Sequence, residues 1–172
     1  MVDFIEVDVT KEMMKYAEDR SKITGELNNS ITRGEGNVAG FLGKKAVSDY
    51  LRNDRILGKG HDLVDEGYKI AIKAKLRKDK PRQDHDCSVT YPQAIHQDCD
   101  GYIFTSVNNS YTKVWIVGYM DRLKLLKIAK ILQKNETYGS NAFRCHEKCH
   151  NVEISQLDQL PLNLYQQQTL EG

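Results

Sequence analysis

Apolar residues recur along this chain at two periods, and the changes of period mark the elements. Phe4, Ile5 and Val7 make residues 1–8 a short strand or ordered arm. Thr10 suits the N-cap of a helix whose stripe, Met13, Met14 and Ala17, runs to about Arg20. Residues 21–36 are rich in Ser, Thr, Asn and Gly and predict a mobile surface connection. From Asn37 to Arg52 the positions Val38, Phe41, Leu42, Ala46, Val47, Tyr50 and Leu51 keep the i, i+3, i+4 spacing of an amphipathic helix.

The period then falls to two. Residues 61–65 and 68–76 read as strands joined by a tight turn at Glu66-Gly67. In the second strand Ile70, Ile72 and Ala74 alternate with Lys69, Ala71, Lys73 and Lys75, the pattern of a half-buried strand with one polar face. Lys78-Asp79-Lys80-Pro81 interrupts regular structure. Residues 87–91 predict a short strand, 93–97 a helical turn, 101–107 a central strand and 111–119 its hairpin partner. Residues 121–134, with Leu123, Leu125, Leu126, Ile128, Ala129, Ile131 and Leu132, predict a helix. A last strand is expected at 151–154, before Pro161 and a Gln-rich tail that reads as fraying. The order predicts an α/β fold, a mixed central sheet flanked by helices. With 172 residues and neither repeat nor linker, a single domain is expected.

A net charge of +1 is uninformative, but its distribution is not. Lys73, Lys75, Arg77, Lys78, Lys80 and Arg82 lie within ten positions against a single acid, Asp79. Such a run suits phosphate contacts, with a solvated charged loop as the bland alternative. The first residues are too acidic for a signal peptide, and no apolar run has the length of a membrane helix, so a soluble intracellular protein is expected. Cys145, His146, Cys149 and His150 invite a zinc reading. A structural zinc usually joins two separated ligand pairs, and Cys87 and Cys99 would have to fold beside this cluster. Surface histidines beside half-buried cysteines are the expected arrangement.

Asp62 opens the first short strand and Lys73 sits in the second, beside the basic run. An acid and a lysine converging there are the beginning of a phosphodiester-cleaving site. Asp62 followed by Ala71-Ile72-Lys73 resembles the PD-(D/E)xK nuclease superfamily, which includes restriction, repair and phage nucleases. Its pattern is an Asp at the start of one strand and (D/E)-x-K on the next. Asp62 and Lys73 match, whereas Ala71 stands where the family has an acid. The helix upstream, which often supplies a further Glu, is matched by Gly40–Val47, with Lys44 in place of the acid.

The resemblance covers roughly residues 35–135, leaving 136–172 as a C-terminal extension. It implies a restriction-endonuclease-like core and a magnesium-dependent DNA endonuclease of phage or mobile-element type, with manganese as a substitute ion. It places Asp62, Ala71, Lys73 and Lys44 at the catalytic positions, and Asp62 with the Ile72 carbonyl on the metal. Lys75, Arg77, Lys78, Lys80, Arg82 and Gln97 become nucleic-acid contacts. The implied partner is DNA, with no membrane and with a homodimer admissible, in the cytoplasm of a bacterial or phage-infected cell.

With Ala71 the metal loses a charged ligand and Lys44 adds positive charge, so impaired activity is expected. Either the chain is an inactivated form of a nuclease or it is a natural relative that kept the fold and lost the chemistry. Alanine among lysines on a polar strand face favours the first. A non-catalytic nucleic-acid-binding protein of the same fold is the alternative. Of the remaining residues, Asp65 and Glu66 suit the turn, Asp98 and Asp100 a strand-entry cap, His85 and His96 the surface, and Trp115 the core.

Overall fold

The computed structural model describes residues 2–28, 35–53, 60–65, 67–138 and 143–160. The chain is a mixed α/β structure. Its strands are β1 (Ile5–Asp8), β2 (Leu63–Asp65), β3 (Tyr68–Arg77), β4 (Asp86–Thr90), β5 (Gly101–Asn108), β6 (Lys113–Asp121), β7 (Lys130–Leu132), β8 (Thr137–Tyr138), β9 (Phe143–Arg144) and β10 (Cys149–Glu153). Its helices are α1 (Lys11–Asn28), α2 (Glu35–Leu51), α3 (Tyr91–His96) and α4 (Arg122–Ile128). The main sheet has the order β1-β6-β5-β3-β2, and a second sheet has the order β4-β10-β7. Only β3 and β5 pair in parallel within the main sheet. A parallel pair needs a crossover, and β4 with α3 supplies it.

Both faces of the main sheet are covered. On one, Ile70, Ile72, Ile103 and Ile116 meet Val47 of α2, while Val107 and Val114 meet Leu42, Ala46 and the Met13 and Ala17 stripe of α1. On the other, Ala71, Tyr102, Phe104, Trp115 and Met120 pack with Cys87 and Val89 of β4, Val152 of β10 and Leu125 of α4. The polar face expected for β3 is therefore an interior face: Ala71 is 0 % exposed, and Lys73 and Lys75 are half-buried.

Two helices differ from the sequence expectation, and the short pair β8–β9 is additional to the strands it predicts. Helix α1 continues past Arg20 to Asn28, across residues read as loop. Ser21 is buried, and the Thr24 hydroxyl donates to the Arg20 carbonyl at 3.0 Å, so short polar side chains are accommodated within the helix. Residues 29–34 and the Pro161 tail lie outside the described residues. The helix expected to reach Lys134 stops at Ile128, and Lys130–Leu132 becomes a strand. Asp121 caps the helix by accepting from the Leu123 and Lys124 amides at 2.9 and 3.4 Å. Pairing of Leu132 with Cys149 then buries Leu132 fully, which a continued helix would not do by this route, whereas Leu123 is left 72 % exposed. Among the described residues no helix is long and apolar enough to cross a membrane.

Gly43 sets the approach of α2 to the sheet. A Cβ there would lie 2.5 Å from Thr105 Oγ1 and 3.1 Å from the Ala74 Cβ. The hydroxyl cannot swing aside freely, because it donates to the Lys73 carbonyl at 3.0 Å. Gly43→Ala is expected to destabilise the fold by about 2 kcal/mol through overpacking. Urea unfolding should show the lower midpoint with an unchanged slope. Adding Thr105→Ala should recover part of the loss, and a purely additive pair would contradict the contact.

Candidate functional site

Strand β2 is three residues long, so its ladder with β3 ends early. Asp62, just before it, takes over the edge. Its amide donates to the Ile70 carbonyl at 2.8 Å, and its Oδ2 accepts the Ile72 amide at 2.7 Å. The N–H and C=O of one strand residue point to one edge, so the Ile72 carbonyl faces the Asp62 side as well. From α2, Lys44 Nζ reaches Asp62 Oδ1 at 2.9 Å and sits 5.3 Å from the centre of the Phe41 ring. Each carboxylate oxygen of Asp62 thus already has a partner.

Lys73 projects from the same stretch of β3 onto the opposite face from Ile72. Its Nζ donates to Gln93 Oε1 at 3.0 Å and Gln97 Oε1 at 3.1 Å, and lies 5.8 Å from the Tyr102 ring centre. Burial holds its ammonium below the usual lysine range, with Asp62 and Cys99 pulling back up and Lys44 adding to the fall. Both glutamine partners are neutral, so they orient the ammonium without cancelling its charge. Gln97 was legible as a candidate; Gln93 was not. Their i, i+4 spacing, which puts them on one face of the α3 turn, was the available signal. Ala71, between these groups, lies in the core with Cys99 and Tyr102.

The basic run divides. Lys75 and Arg77 turn inward with Lys73. Arg77 donates to Ser106 Oγ at 3.1 Å and to the Asp86 carbonyl. Lys78, Lys80 and Arg82 are exposed, and Arg82 pairs with Asp84 at 3.0 Å. A cavity of about 420 Å³ is lined by Lys73, Lys75, Phe104 and residues of the 145–149 segment. A second, of about 320 Å³, is lined by Lys75, Arg77, Lys78, Arg82 and His85. Lys75 belongs to both walls, so the basic residues follow one another from cavity to cavity. Burial pushes the Lys75 ammonium down to about 8, with Arg77 adding to the fall and Asp86, Cys87 and Cys149 opposing it. Burial and the neighbouring Arg77 and Arg82 also lower His85, whose Nδ1 accepts the Arg82 amide at 3.0 Å.

The remaining readings resolve simply. Asp98 pairs with Lys69 at 2.9 Å, and Asp100 Oδ2 accepts the Lys69 amide at 2.8 Å, so both acids serve the entry to the central strands. His96 is exposed, and Trp115 is buried with its Nε1 donating to Glu6 at 3.0 Å. The cysteine cluster is more buried than expected. Cys145 and Cys149 are interior, and His150 is buried and stacked on Tyr91 at 5.2 Å.

The residues present do not fit a magnesium ion. Magnesium needs oxygen ligands in near-octahedral geometry. Here one carboxylate faces the Ile72 edge, its Oδ1 holds an ammonium, its Oδ2 holds an amide, and Ala71 offers nothing. Among the described residues no group of three His, Cys, Asp or Glu side chains is placed to hold a metal ion.

Lys75 gives a test of the electrostatics. Its folded value of about 8 lies below its ordinary 10.5, so the unfolded chain binds more protons between those pH values. Stability attributable to Lys75 is therefore lowest below pH 8 and rises from 8 towards 10.5. Lys75→Met is expected to be more stable than the parent by about 2 kcal/mol at neutral pH, an advantage that shrinks to nothing through that window. Denaturant unfolding at several pH values checks it, and an advantage independent of pH would rule out the burial of charge as its origin.

Comparison with known proteins assigns no family: no family model matches the chain, and no curated protein matches it.

Proposed function

We propose that this chain is a DNA-binding protein on a restriction-endonuclease-like core, of the PD-(D/E)xK endonuclease type, in which magnesium-dependent cleavage of phosphodiesters is disabled. The observation that carries the reading is the 2.9 Å ion pair between Lys44 and Asp62. An ammonium holds the carboxylate that a metal would otherwise claim. It neutralises charge, but it neither assembles a water with the substrate nor lowers that water's pKa as a bound divalent ion does.

The same substitution favours binding. Lys44 pairs with Asp62, whose charge also reaches Lys73; Lys73 and Lys75 line the first cavity, and Lys75, Arg77, Lys78 and Arg82 outnumber Asp79 and Asp86 on the wall of the second. Lys73 faces the cavity with only neutral hydrogen-bond partners, which leaves its charge for a phosphate. Lys78 and Lys80 are exposed and reach solvent beside the second cavity, where a duplex backbone would pass. Phosphate contacts of this kind supply affinity without sequence information.

Duplex DNA binding, followed by fluorescence anisotropy, should weaken linearly in log salt with a slope of about −4, as for four or five neutralised phosphates. Lys73→Ala and Lys78→Ala with Lys80→Ala should each weaken binding and flatten that slope. An affinity that ignores salt, or no binding at low salt, would overturn the reading. Supercoiled plasmid should stay uncut in magnesium, in manganese and with chelator.

The nuclease origin has its own test. Ala71→Asp alone should destabilise the protein by about 2–4 kcal/mol in chelator, because the cost of desolvating a carboxylate in that core exceeds what the nearby Lys73 returns. Lys44→Glu with Ala71→Asp should regain divalent-dependent nicking of plasmid, and adding Asp62→Asn should abolish it. If the combined variant folds and cuts in neither metal, the chain binds DNA without being a disabled endonuclease.

A further inference from the structure

The cysteine cluster takes no part in the proposed site, yet two of its thiols are held together. Cys145 Sγ and Cys149 Sγ are 2.9 Å apart, closer than non-bonded atoms normally pack. The approach is set by the framework rather than by a loose loop. The Cys145 carbonyl accepts the Asn135 amide at 2.7 Å, and the Cys145 amide donates to the Glu136 carbonyl at 3.1 Å. Cys149 begins β10, where it is paired with Thr90 on one side and Leu132 on the other. The two backbones are thus fixed independently, and the sulfurs meet against Leu132 in a small apolar cluster of their own.

Three fates suit two adjoining thiols: a metal, a disulfide, or an inert pair. A metal lacks ligands, since no third His, Cys, Asp or Glu joins the two sulfurs among the described residues. An inert pair would be sealed, but Cys145 and Cys149 both line the cavity of about 420 Å³ that opens beside Lys75. A small reagent therefore has a route to them. Cys87 lines the same cavity, but it packs with Cys99 in a different core cluster, and the close approach of sulfurs is between Cys145 and Cys149.

We propose that Cys145 and Cys149 are a redox-modification site, a dithiol that low-molecular-weight disulfides of the oxidised-glutathione class convert to an intramolecular disulfide. One protein thiolate attacks a sulfur of the reagent, forming a mixed disulfide and releasing one small thiol. The second protein thiolate attacks the protein sulfur of that mixed disulfide and releases the other small thiol. Two electrons pass from the cysteines to the reagent, and their two protons end on the released thiols. The S–S bond needs about 2.05 Å, so the sulfurs close by less than an ångström from where they stand. Burial raises the Cys149 thiol to about 12, with Cys145 adding to the rise and Lys75 opposing it. Uncatalysed conversion is slow at neutral pH for that reason, and equilibration takes hours rather than seconds. The chemistry belongs to the thiols and is independent of what the cavity binds.

The test is equilibration of the full chain in glutathione buffers of graded oxidised-to-reduced ratio, with a chelator present. Acid quenching, alkylation in denaturant and mass spectrometry of peptides then follow. The expected result is joint loss of alkylation at Cys145 and Cys149, with two hydrogens lost and no glutathione retained. Cys87 and Cys99 should stay alkylated, and dithiothreitol should reverse the change. The oxidised protein should melt about 4 °C higher than the reduced one, a difference absent from Cys145→Ser and Cys149→Ser. Full alkylation of both residues in the most oxidising buffer would overturn the proposal, as would retained glutathione in place of the internal bond. So would stoichiometric zinc that survives the chelator and shields the pair.

Discussion

Burial of β3 on both faces is the constraint from which the rest of this structure follows. One face carries Ile70 and Ile72 into the layer of α1 and α2. The other carries Ala71 beneath the second sheet, flanked by Lys69, Lys73, Lys75 and Arg77. A strand of this composition at an open surface would simply leave its cations in water. Enclosed, it must find oxygen for them, and the neighbouring elements are arranged to supply it. Gln93 and Gln97 serve Lys73, and Ser106 with the Asp86 carbonyl serves Arg77. Ala71 fits this scheme because a small apolar side chain packs into the core cluster that holds Tyr102 and Cys99 and adds no charge to it.

The edge of β3 obeys the same logic. Where β2 runs out, the Ile72 amide would be left unpaired, and Asp62 accepts it. A carboxylate at that edge needs a cation, and Lys44 from α2 provides it. The close packing of α2, permitted by Gly43 against Thr105 and Ala74, brings that helix over the sheet. The ion pair is therefore a structural link between helix and sheet edge, and it occupies the one carboxylate at that edge. Removing one partner of such a pair leaves the other stranded, so each of the two residues depends on the other.

The second sheet closes the cavity wall. β10 lies between β4 and β7, and its first residue brings Cys149 to Cys145. Segments far apart in sequence thus meet beside Lys75, whose ammonium faces Asp86, Cys87 and Cys149 from different elements. The cations of β3 and the thiols of the C-terminal part share one cavity, although neither recognises the other along the chain.

The sequence by itself determined the elements whose period is set locally. The stripe from Val38 to Leu51 is a helix, the alternation from Tyr68 to Leu76 is a strand, and Gly101 to Val107 is buried throughout, because backbone repeat and side-chain spacing suffice for these. It also marked Asp62, Lys73, Lys44 and Gln97, and the structure brings Lys44 onto Asp62 and Gln97 onto Lys73. Tertiary structure decided what local pattern cannot carry. Leu123, Ile128 and Ile131 continue an apolar stripe, yet the helix ends at Ile128 because β10 offers Leu132 a partner. The lysines of β3 signalled a solvent face in sequence, and only the packing of β4 and β10 against that face turned it inward. Gln93 joined the site because α3 lies beside Lys73, a proximity across twenty residues that no periodicity encodes.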